Sequence, residues 1–305
     1  MSQAANKKKK RLGREELTLN LMILPGMIIL IIFVFAPLVG SLMAFENYVP
    51  AKGLLKSKWV GLSNFQFIFS LPDSKQVFMN TLIIAFSKLV VNIFVPVTFA
   101  ILLNEIRVNV CKKIFQTVVY LPHFLSWVVL ATVVTNMFSL DGPINAVISA
   151  FGGNPIYFLA DNKWFRTVIV GTDVWKEFGY NSVVYLAALT GIDPGLFEAA
   201  SIDGANRFKQ ILNITVPALL PTVVLMTALN LGNILNAGFD QIYNLYNPLV
   251  YSTGDVIDTW VYRAGLQNLQ YSLATAVGLF KSVISVILIA LGYWLADKFT
   301  GYKLF

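Results

Sequence analysis

The chain alternates between long apolar segments and shorter polar breaks. A helix needs about 20 residues to cross about 30 Å of hydrocarbon. Six apolar segments reach this length, near residues 18–44, 77–104, 114–138, 166–190, 213–238 and 273–297. Proline and glycine occur inside several of them, as membrane helices tolerate. The pattern therefore predicts an all-α membrane protein with six transmembrane helices.

The polar breaks leave no room for a soluble domain. The longest are residues 45–76 and 239–272, which are shorter than an ordinary domain. The apolar region of a cleaved signal peptide has about 7–15 residues, and the first apolar segment is longer, so we expect an uncleaved first span. We divide the chain into a basic tail, residues 1–17, and a transmembrane domain, residues 18–305.

Composition supports a membrane protein and excludes several kinds of site. The chain is 56% hydrophobic and 13% charged, whereas soluble domains carry about 25% charged residues. The single cysteine, Cys111, excludes an internal disulfide and a cysteine-based zinc site. The single histidine, His123, provides neither a metal cluster nor a catalytic triad. The composition therefore argues against a membrane-embedded enzyme.

The distribution of charge predicts the orientation. Lys and Arg are enriched in the cytoplasmic loops of membrane proteins. If the N-terminus lies inside, the cytoplasmic parts are residues 1–17, 105–113, 191–212 and 298–305. The surplus of Lys and Arg then lies on the cytoplasmic side. Both termini are then cytoplasmic. The net charge of +7 is explained by topology and does not require nucleic acid.

One polar break contains an unusual helical segment. Residues 198–217 read EAASIDGANRFKQILNITVP. Asp193 is a suitable N-cap and Pro194 a suitable first residue for a helix through this region. Gly204 allows a tight turn or the close approach of a partner backbone. The orientation above places this break in the cytoplasm.

This segment closely resembles the EAA loop of bacterial binding-protein-dependent ABC importer permeases. Val216 stands where the family usually has leucine. The resemblance implies that the loop, residues 194–217, is a coupling helix that contacts an ATPase subunit. The implied coupling residues are Glu198, Ala199, Ala200, Asp203, Gly204 and Arg207. The alternative is an ordinary amphipathic connector between two spans.

Other stretches resemble the carbohydrate-importing branch of this family, of the LplB and maltose-permease type. They are the VGLSNF stretch at residues 60–65, NTL at 80–82, residues 187–194 and residues 255–266. The resemblance extends from about residue 19 to the C-terminus. It implies a type I (MetI-like) permease fold and a multi-pass location in the bacterial plasma membrane.

The fourth apolar segment contains a polar stripe. Asp173, Lys176, Glu177 and Tyr180 share one helix face. Ionisable groups in hydrocarbon are costly unless they face a cavity or a partner. One possibility is an internal ion pair, for example between Lys88 and Asp173 or Glu177. For Glu177 and Tyr180 we favour contact with a substrate.

The resemblance to the maltose permease extends this candidate site. Its sugar contacts match the positions of Trp175, Lys176, Glu177 and Tyr180, of which only Tyr180 is the same residue type. Trp175 lies off the polar stripe of a regular helix. Asn181 follows Tyr180 and completes the candidates on this segment.

The fifth apolar segment contains asparagines spaced by three residues, at positions 230, 233 and 236. An amide both donates and accepts hydrogen bonds, so it can pair with sugar hydroxyls. By resemblance, Asn233 and Asn236 match the two sugar-binding asparagines of the maltose permease. The alternative is hydrogen bonding between helices, a common use of asparagine in membranes.

Three further features remain open. His123 is favoured as a structural imidazole beside a proline break. Lys281 either neutralises a carboxylate or lines the pathway. The outer aromatic residues either contact sugars or a binding protein, or form an interfacial belt. These residues are Tyr243, Tyr246, Tyr251, Trp260 and Tyr262.

The sequence thus predicts the transmembrane permease subunit of an ATP-driven ABC importer for oligosaccharides. The chain has no GxxxxGK[ST] phosphate loop, so we expect ATP and Mg to bind to a partner ATPase. We expect neither a cofactor nor a catalytic residue in this chain. By resemblance, the partners are a second homologous permease, an ABC ATPase dimer and an extracellular solute-binding lipoprotein. The alternative is another solute: a sugar phosphate, a peptide or an anionic glycan, whose carboxylate would require Lys176 or Lys281. A channel would have no use for an EAA loop.

Overall fold

The computed structural model describes residues 14–232 and 234–300. Asn233 and most of the predicted basic tail lie outside the described residues. The division into tail and transmembrane domain stays a prediction.

The described residues are predominantly helical. The first half forms α1 Arg14–Leu30, α2 Ala36–Val39, α3 Ser63–Ser70, α4 Ser74–Glu105, α5 Asn109–Tyr120, α6 Trp127–Met137 and α7 Pro143–Ala150. The second half forms α8 Phe165–Thr190, α9 Pro194–Ile202, α10 Arg207–Gln210, α11 Val216–Leu231, α12 Phe239–Leu245, α13 Tyr251–Gly254, α14 Ile257–Tyr262 and α15 Tyr271–Thr300. A two-stranded antiparallel hairpin joins β1, Glu46–Asn47, to β2, Lys58–Trp59.

Within the described part of the chain, four helical segments are long and apolar enough to cross a membrane. They are Thr18–Phe45, Ser74–Glu105, Arg207–Leu231 and Tyr271–Trp294. Two bent pairs bring the number to six if each pair is one span. They are Asn109–Phe124 with Trp127–Met137, and Phe165–Thr190 with Pro194–Ile202. The predicted all-helical membrane fold is confirmed.

Two predicted spans differ from the structure. The third, predicted as continuous over 114–138, bends by 106° between Phe124 and Trp127. Pro122 lies in a short 3₁₀ turn before the bend, and Ser126 caps the next helix by accepting a hydrogen bond from the Val129 amide. The chain therefore ends one helix and begins another within the predicted span. The fifth, predicted to reach residue 238, ends at Leu231.

The longest helices form the centre of the fold. Helices α4 and α8 pack along each other, and the core toward the predicted outer side includes the fully buried Ile84, Phe165 and Ile169. On the predicted cytoplasmic side, Tyr185 and Leu219 belong to a second core cluster. The most apolar part of the first span contains no buried residue. This span contacts the rest of the protein through Gly40–Phe45, which packs against α15.

The predicted outer loop 239–272 is mostly short helices that fold onto the ends of α4 and α8. Arg166 donates from Nη2 to Asn80 Oδ1 (2.6 Å) and from Nε to the Thr253 carbonyl (3.0 Å). Asn80 Nδ2 donates to the Asp255 carbonyl (3.0 Å). These bonds fix the outer segment against the membrane helices, and so position its side chains.

Candidate functional site

The polar stripe of α8 meets the bend between α5 and α6. Glu177 Oε2 lies 2.7 Å from His123 Nδ1, and Lys176 Nζ donates to Glu177 Oε1 at 3.0 Å. Lys176 Nζ also donates to the His123 carbonyl at 2.8 Å. The rings of His123 and Tyr180 stack in parallel, with centroids 3.9 Å apart. We call these four residues the α8 polar cluster.

The α8 polar cluster is open on one side. Tyr180 is 48% exposed, and the Glu177 side chain is 26% exposed. Lys176 is buried. Glu177 is therefore held in place by two neighbours, while Tyr180 remains accessible. His123, which the sequence favoured as a structural residue beside a proline, contacts both of them.

Two other candidates on α8 lie elsewhere. Trp175 lines a separate, mostly apolar cavity of about 460 Å³, together with residues of α6 and α7 such as Val134 and Ile144. The structure therefore does not bring Trp175 together with Glu177 and Tyr180. Asn181 is half-buried. The roles of all these residues remain predictions.

The close contact behind the α8 polar cluster depends on Gly179. A Cβ at this position would lie 2.3 Å from the Val119 carbonyl oxygen of α5. We expect Gly179→Ala to lower stability by about 1–3 kcal/mol, since overpacking forces backbone shifts. The measurement is the thermal unfolding midpoint of the purified protein. Gly171→Ala in the same helix is the matched control, because nothing lies within 4 Å of its added Cβ. Equal midpoints for the two variants would contradict the expected clash.

The predicted ion pair within the membrane is confirmed for Lys88. Its Nζ lies 2.9 Å from Asp173 Oδ1 and donates to the Ala237 carbonyl at 2.8 Å. Gln241 Oε1 accepts a third hydrogen bond from it. Asp173 in turn accepts from Asn92 Nδ2 (2.9 Å). This buried network ties α4 and α8 to the segment after α11.

The prediction that the fifth span continues as a helix through the asparagines is wrong at its outer end. Helix α11 ends at Leu231, so Asn236 lies in a loop and not on a helix face. The loop is fixed because Lys88 binds the Ala237 carbonyl, and Gly238 then turns the chain with φ +93° into α12. Asn233 lies outside the described residues. The assignment of both asparagines to a sugar site remains a prediction.

Asn236 belongs to a second polar cluster. It is exposed, and its Oδ1 accepts a hydrogen bond from Lys281 Nζ at 2.7 Å. Lys281 also pairs with Asp258 Oδ1 at 2.6 Å. Lys281 therefore does neutralise a carboxylate, one of the two roles that the sequence left open. Asn236 and Asp258 line a cavity of about 1020 Å³ between the first span, α14 and α15.

Four of the five outer aromatic residues form one cluster. The ring centroids of Tyr243 and Tyr262 are 4.8 Å apart, and those of Tyr246 and Tyr251 are 5.1 Å apart. Tyr243 and Tyr246 join the two pairs at 6.1 Å. Burial and the neighbouring Tyr251 raise the pKa of Tyr246 to about 12, so its hydroxyl stays protonated. Trp260 lies apart and lines an apolar groove.

An ion pair stabilises the outer end of this aromatic cluster. Arg263 Nη2 lies 2.5 Å from Asp255 Oδ2, and its guanidinium stacks 4.5 Å from the Tyr251 ring centroid. Burial lowers the pKa of Arg263, but the hydrogen bonds and charge of Asp255 outweigh that effect and raise it overall. Arg263 is therefore a permanent cation beside the rings.

The EAA segment has the predicted local structure. Helix α9 begins at Pro194, and Asp193 caps it by accepting a hydrogen bond from the Gly195 amide (2.9 Å). Gly204 has φ +77°, which makes the tight turn after the helix. A new helix, α10, then begins after the cap Asn206.

The implied coupling residues face outward from the body of the protein. Ala200 is half-buried, and the exposed ones are Glu198, Ala199, Asp203, Gly204 and Arg207. Large apolar side chains are exposed beside them, with Ile202 at 87% and Phe208 at 68%. An exposed apolar patch with charged neighbours is typical of a protein contact surface.

Sequence reasoning missed the residue that fixes this turn. Gln210 is buried, and its Nε2 donates to Ser201 Oγ (2.9 Å) and to the Ala205 carbonyl (3.2 Å). It thereby joins α9 to α10 across the Gly204 turn. Its position twelve residues after Glu198 carries no periodicity that would have indicated this role.

The family described as the inner membrane component of binding-protein-dependent transport systems matches residues 92–301. The chain belongs to this family. The polygalacturonan/rhamnogalacturonan transport system permease protein YteP of Bacillus subtilis (strain 168) is 41% identical over 282 residues, covering 92% of this chain and 88% of the relative. Protein LplB of the same organism is 41% identical over 288 residues, covering 94% and 91%.

A solved structure has the same fold over nearly the whole chain. It belongs to a bacterial ABC transporter involved in the import of the acidic polysaccharide alginate. The TM-score is 0.87 at 36% identity, and the match covers 94% of this chain and 97% of that chain. The predicted family, the permease fold and the membrane location are therefore confirmed.

Proposed function

We propose that this chain is the transmembrane permease subunit of an ATP-driven importer for oligosaccharides. The observation that carries the proposal is the match to a chain of an ABC transporter for a polysaccharide, at 36% identity over 94% of this chain. The similarity to YteP also supports it, since that protein is named for the transport of glycans. The two polar clusters provide hydroxyl-binding groups on this scaffold.

The exposed α9 turn is the proposed contact with the ATPase. ATP and Mg are bound by that partner, and this chain carries no part of the phosphate site. Glu198 offers an acceptor to a cationic or amide donor of the partner, and Ile202 is an apolar contact. Gln210 holds the turn rigid, so that movement of the partner is transmitted to α8, which precedes α9, and through α10 to α11.

The proposed cycle is alternating access. A loaded extracellular binding protein docks on the outer segments, residues 45–76 and 239–272, and passes the sugar toward the α8 polar cluster and Asn236. The chain pairs with a second, homologous permease. Closure of the ATPases moves α9 and shifts the equilibrium between outward-facing and inward-facing states, because α9 contacts the two ATPase conformations differently.

Reconstitution tests this function directly. The complete complex, purified through a tag on this chain, is placed in liposomes with ATP inside and the binding protein outside. We expect uptake of a glycan only when both ATP and the binding protein are present. Uptake of a peptide or a sugar phosphate in place of any glycan would contradict the proposed substrate class. Conduction without ATP would contradict the importer.

A further inference from the structure

The cluster of Lys281, Asn236 and Asp258 has the properties of a binding site. Asn236 and Asp258 line the large cavity between the first span, α14 and α15, and Lys281 Nζ lies between them at 2.7 and 2.6 Å. The Lys281 side chain is 14% exposed and that of Asp258 is 25% exposed. We call these three residues the α15 cluster.

The ammonium of Lys281 has hydrogen-bonding capacity left over. An ammonium has three N–H donors. Lys88 uses all three, on Asp173, Gln241 and the Ala237 carbonyl. Lys281 has two acceptors among the described residues, Asn236 Oδ1 and Asp258 Oδ1. The described residues therefore provide no acceptor for its third N–H.

The charge of this ammonium is already compensated. Among the described residues in the interior of the spans, each lysine has a carboxylate oxygen within 3.0 Å. Lys88 pairs with Asp173, Lys176 with Glu177, and Lys281 with Asp258. A cation that is not already paired is a strong stabiliser of a buried anion. The described interior of this chain provides no such unpaired lysine.

We infer that the α15 cluster is a subsite for an uncharged sugar residue, and that Asp258 makes it reject a uronate carboxylate. This rests on the proposed function. Lys281 donates to a sugar hydroxyl and Asp258 accepts from a neighbouring one, so that a vicinal diol matches the ion pair. Phe239, Tyr262 and Tyr271 line the same cavity and offer faces for the sugar ring.

The carboxylate of a uronate at this position would meet the negative charge of Asp258. Like charges in a desolvated site are costly. Two of the similar proteins are named for glycans that contain acidic sugars. If this importer carries such a glycan, its acidic groups therefore lie away from the α15 cluster.

Saturation-transfer NMR on the whole complex tests the subsite. The complex is held in lipid nanodiscs without the binding protein and titrated with trigalacturonate or its methyl ester, which have the same rings and linkages and differ in charge. We expect the ester to bind about tenfold more tightly, because it lacks the carboxylate charge that Asp258 repels. Asp258→Asn should reduce that preference about tenfold, and Lys281→Met should weaken both ligands.

Asp240→Asn is the matched control. It makes the same chemical change at an exposed residue of α12 and should leave the preference unchanged. Equal binding of acid and ester to the unmodified complex would overturn the inference, as would an Asp258→Asn variant with unchanged preference or the absence of binding by either ligand. ATP-driven glycan uptake, measured on the same preparation, separates failure of the subsite from failure of the proposed function. Uptake without these binding effects would contradict only the subsite. Failure of uptake would contradict the proposed function as well.

Discussion

Glu198→Lys is expected to abolish ATP-driven uptake while leaving the fold intact. Glu198 lies exposed on α9, so its replacement disturbs no packing within this chain. In the proposed complex it faces donors of the ATPase, and a lysine there places like charges together. Loss of such a pair costs about 2–5 kcal/mol, or a reduction of roughly 30-fold or more in affinity for the ATPase. The measurements are uptake in liposomes and the amount of ATPase that co-purifies.

Two further variants define the cause of this effect. Asp141→Lys changes the charge equally at an exposed residue of a predicted outer loop and should retain the ATPase. Gly204→Arg should also lose the ATPase, because it adds a large cation at an exposed turn whose φ is +77°. Normal uptake by Glu198→Lys would rule out α9 as the contact with the ATPase.

The sequence predicted those parts of the fold that follow from local physics. The lengths of the apolar segments located the spans. Asp193 and Pro194 indicated the start of α9 and Gly204 its end, because capping and turn preferences act within a few residues. The end of α11 could not be predicted in this way. The chain that follows it is held by Lys88, which lies 149 positions before Ala237 and binds its carbonyl. The run of apolar residues from 213 to 238 contains no sign of that bond.

The candidate site was predictable residue by residue but not in its arrangement. Glu177 and Tyr180 were identified because polar groups are costly in hydrocarbon. Their common partner, His123, lies 54 residues earlier than Glu177 and meets them only because the third span bends. Asp258 was not identified as a partner for Lys281, since it lies in an outer segment that carries no helical periodicity continuous with α15.

The two polar clusters are joined through the buried Lys88 network. Asp173 lies one turn before Lys176 and Glu177 on α8, while Ala237 is the neighbour of Asn236. Lys88 binds both Asp173 and Ala237. A single side chain thus fixes the distance between the α8 polar cluster and the loop that supplies the α15 cluster. Its removal is expected to disturb both.

Lys88→Met is expected to lower stability by about 3–5 kcal/mol, the cost of leaving one partner of a buried ion pair uncompensated. The Asp173 side chain is only 16% exposed, and Asn92 is its remaining hydrogen-bond donor among the described residues. The measurement is the unfolding midpoint of the purified complex in detergent. Lys113→Met, which removes an exposed lysine of α5, should leave the midpoint close to that of the unmodified protein.

A double variant separates lost charge balance from lost packing. Lys88→Met combined with Asp173→Asn leaves no charge in the network, so stability should recover in part, as it does when both members of a buried pair are replaced. Recovery should remain incomplete because Gln241 and the Ala237 carbonyl still lack the ammonium. If the double variant is less stable than Lys88→Met alone, the ion pair is not the main source of the loss, and the hydrogen bonds to the outer loop are.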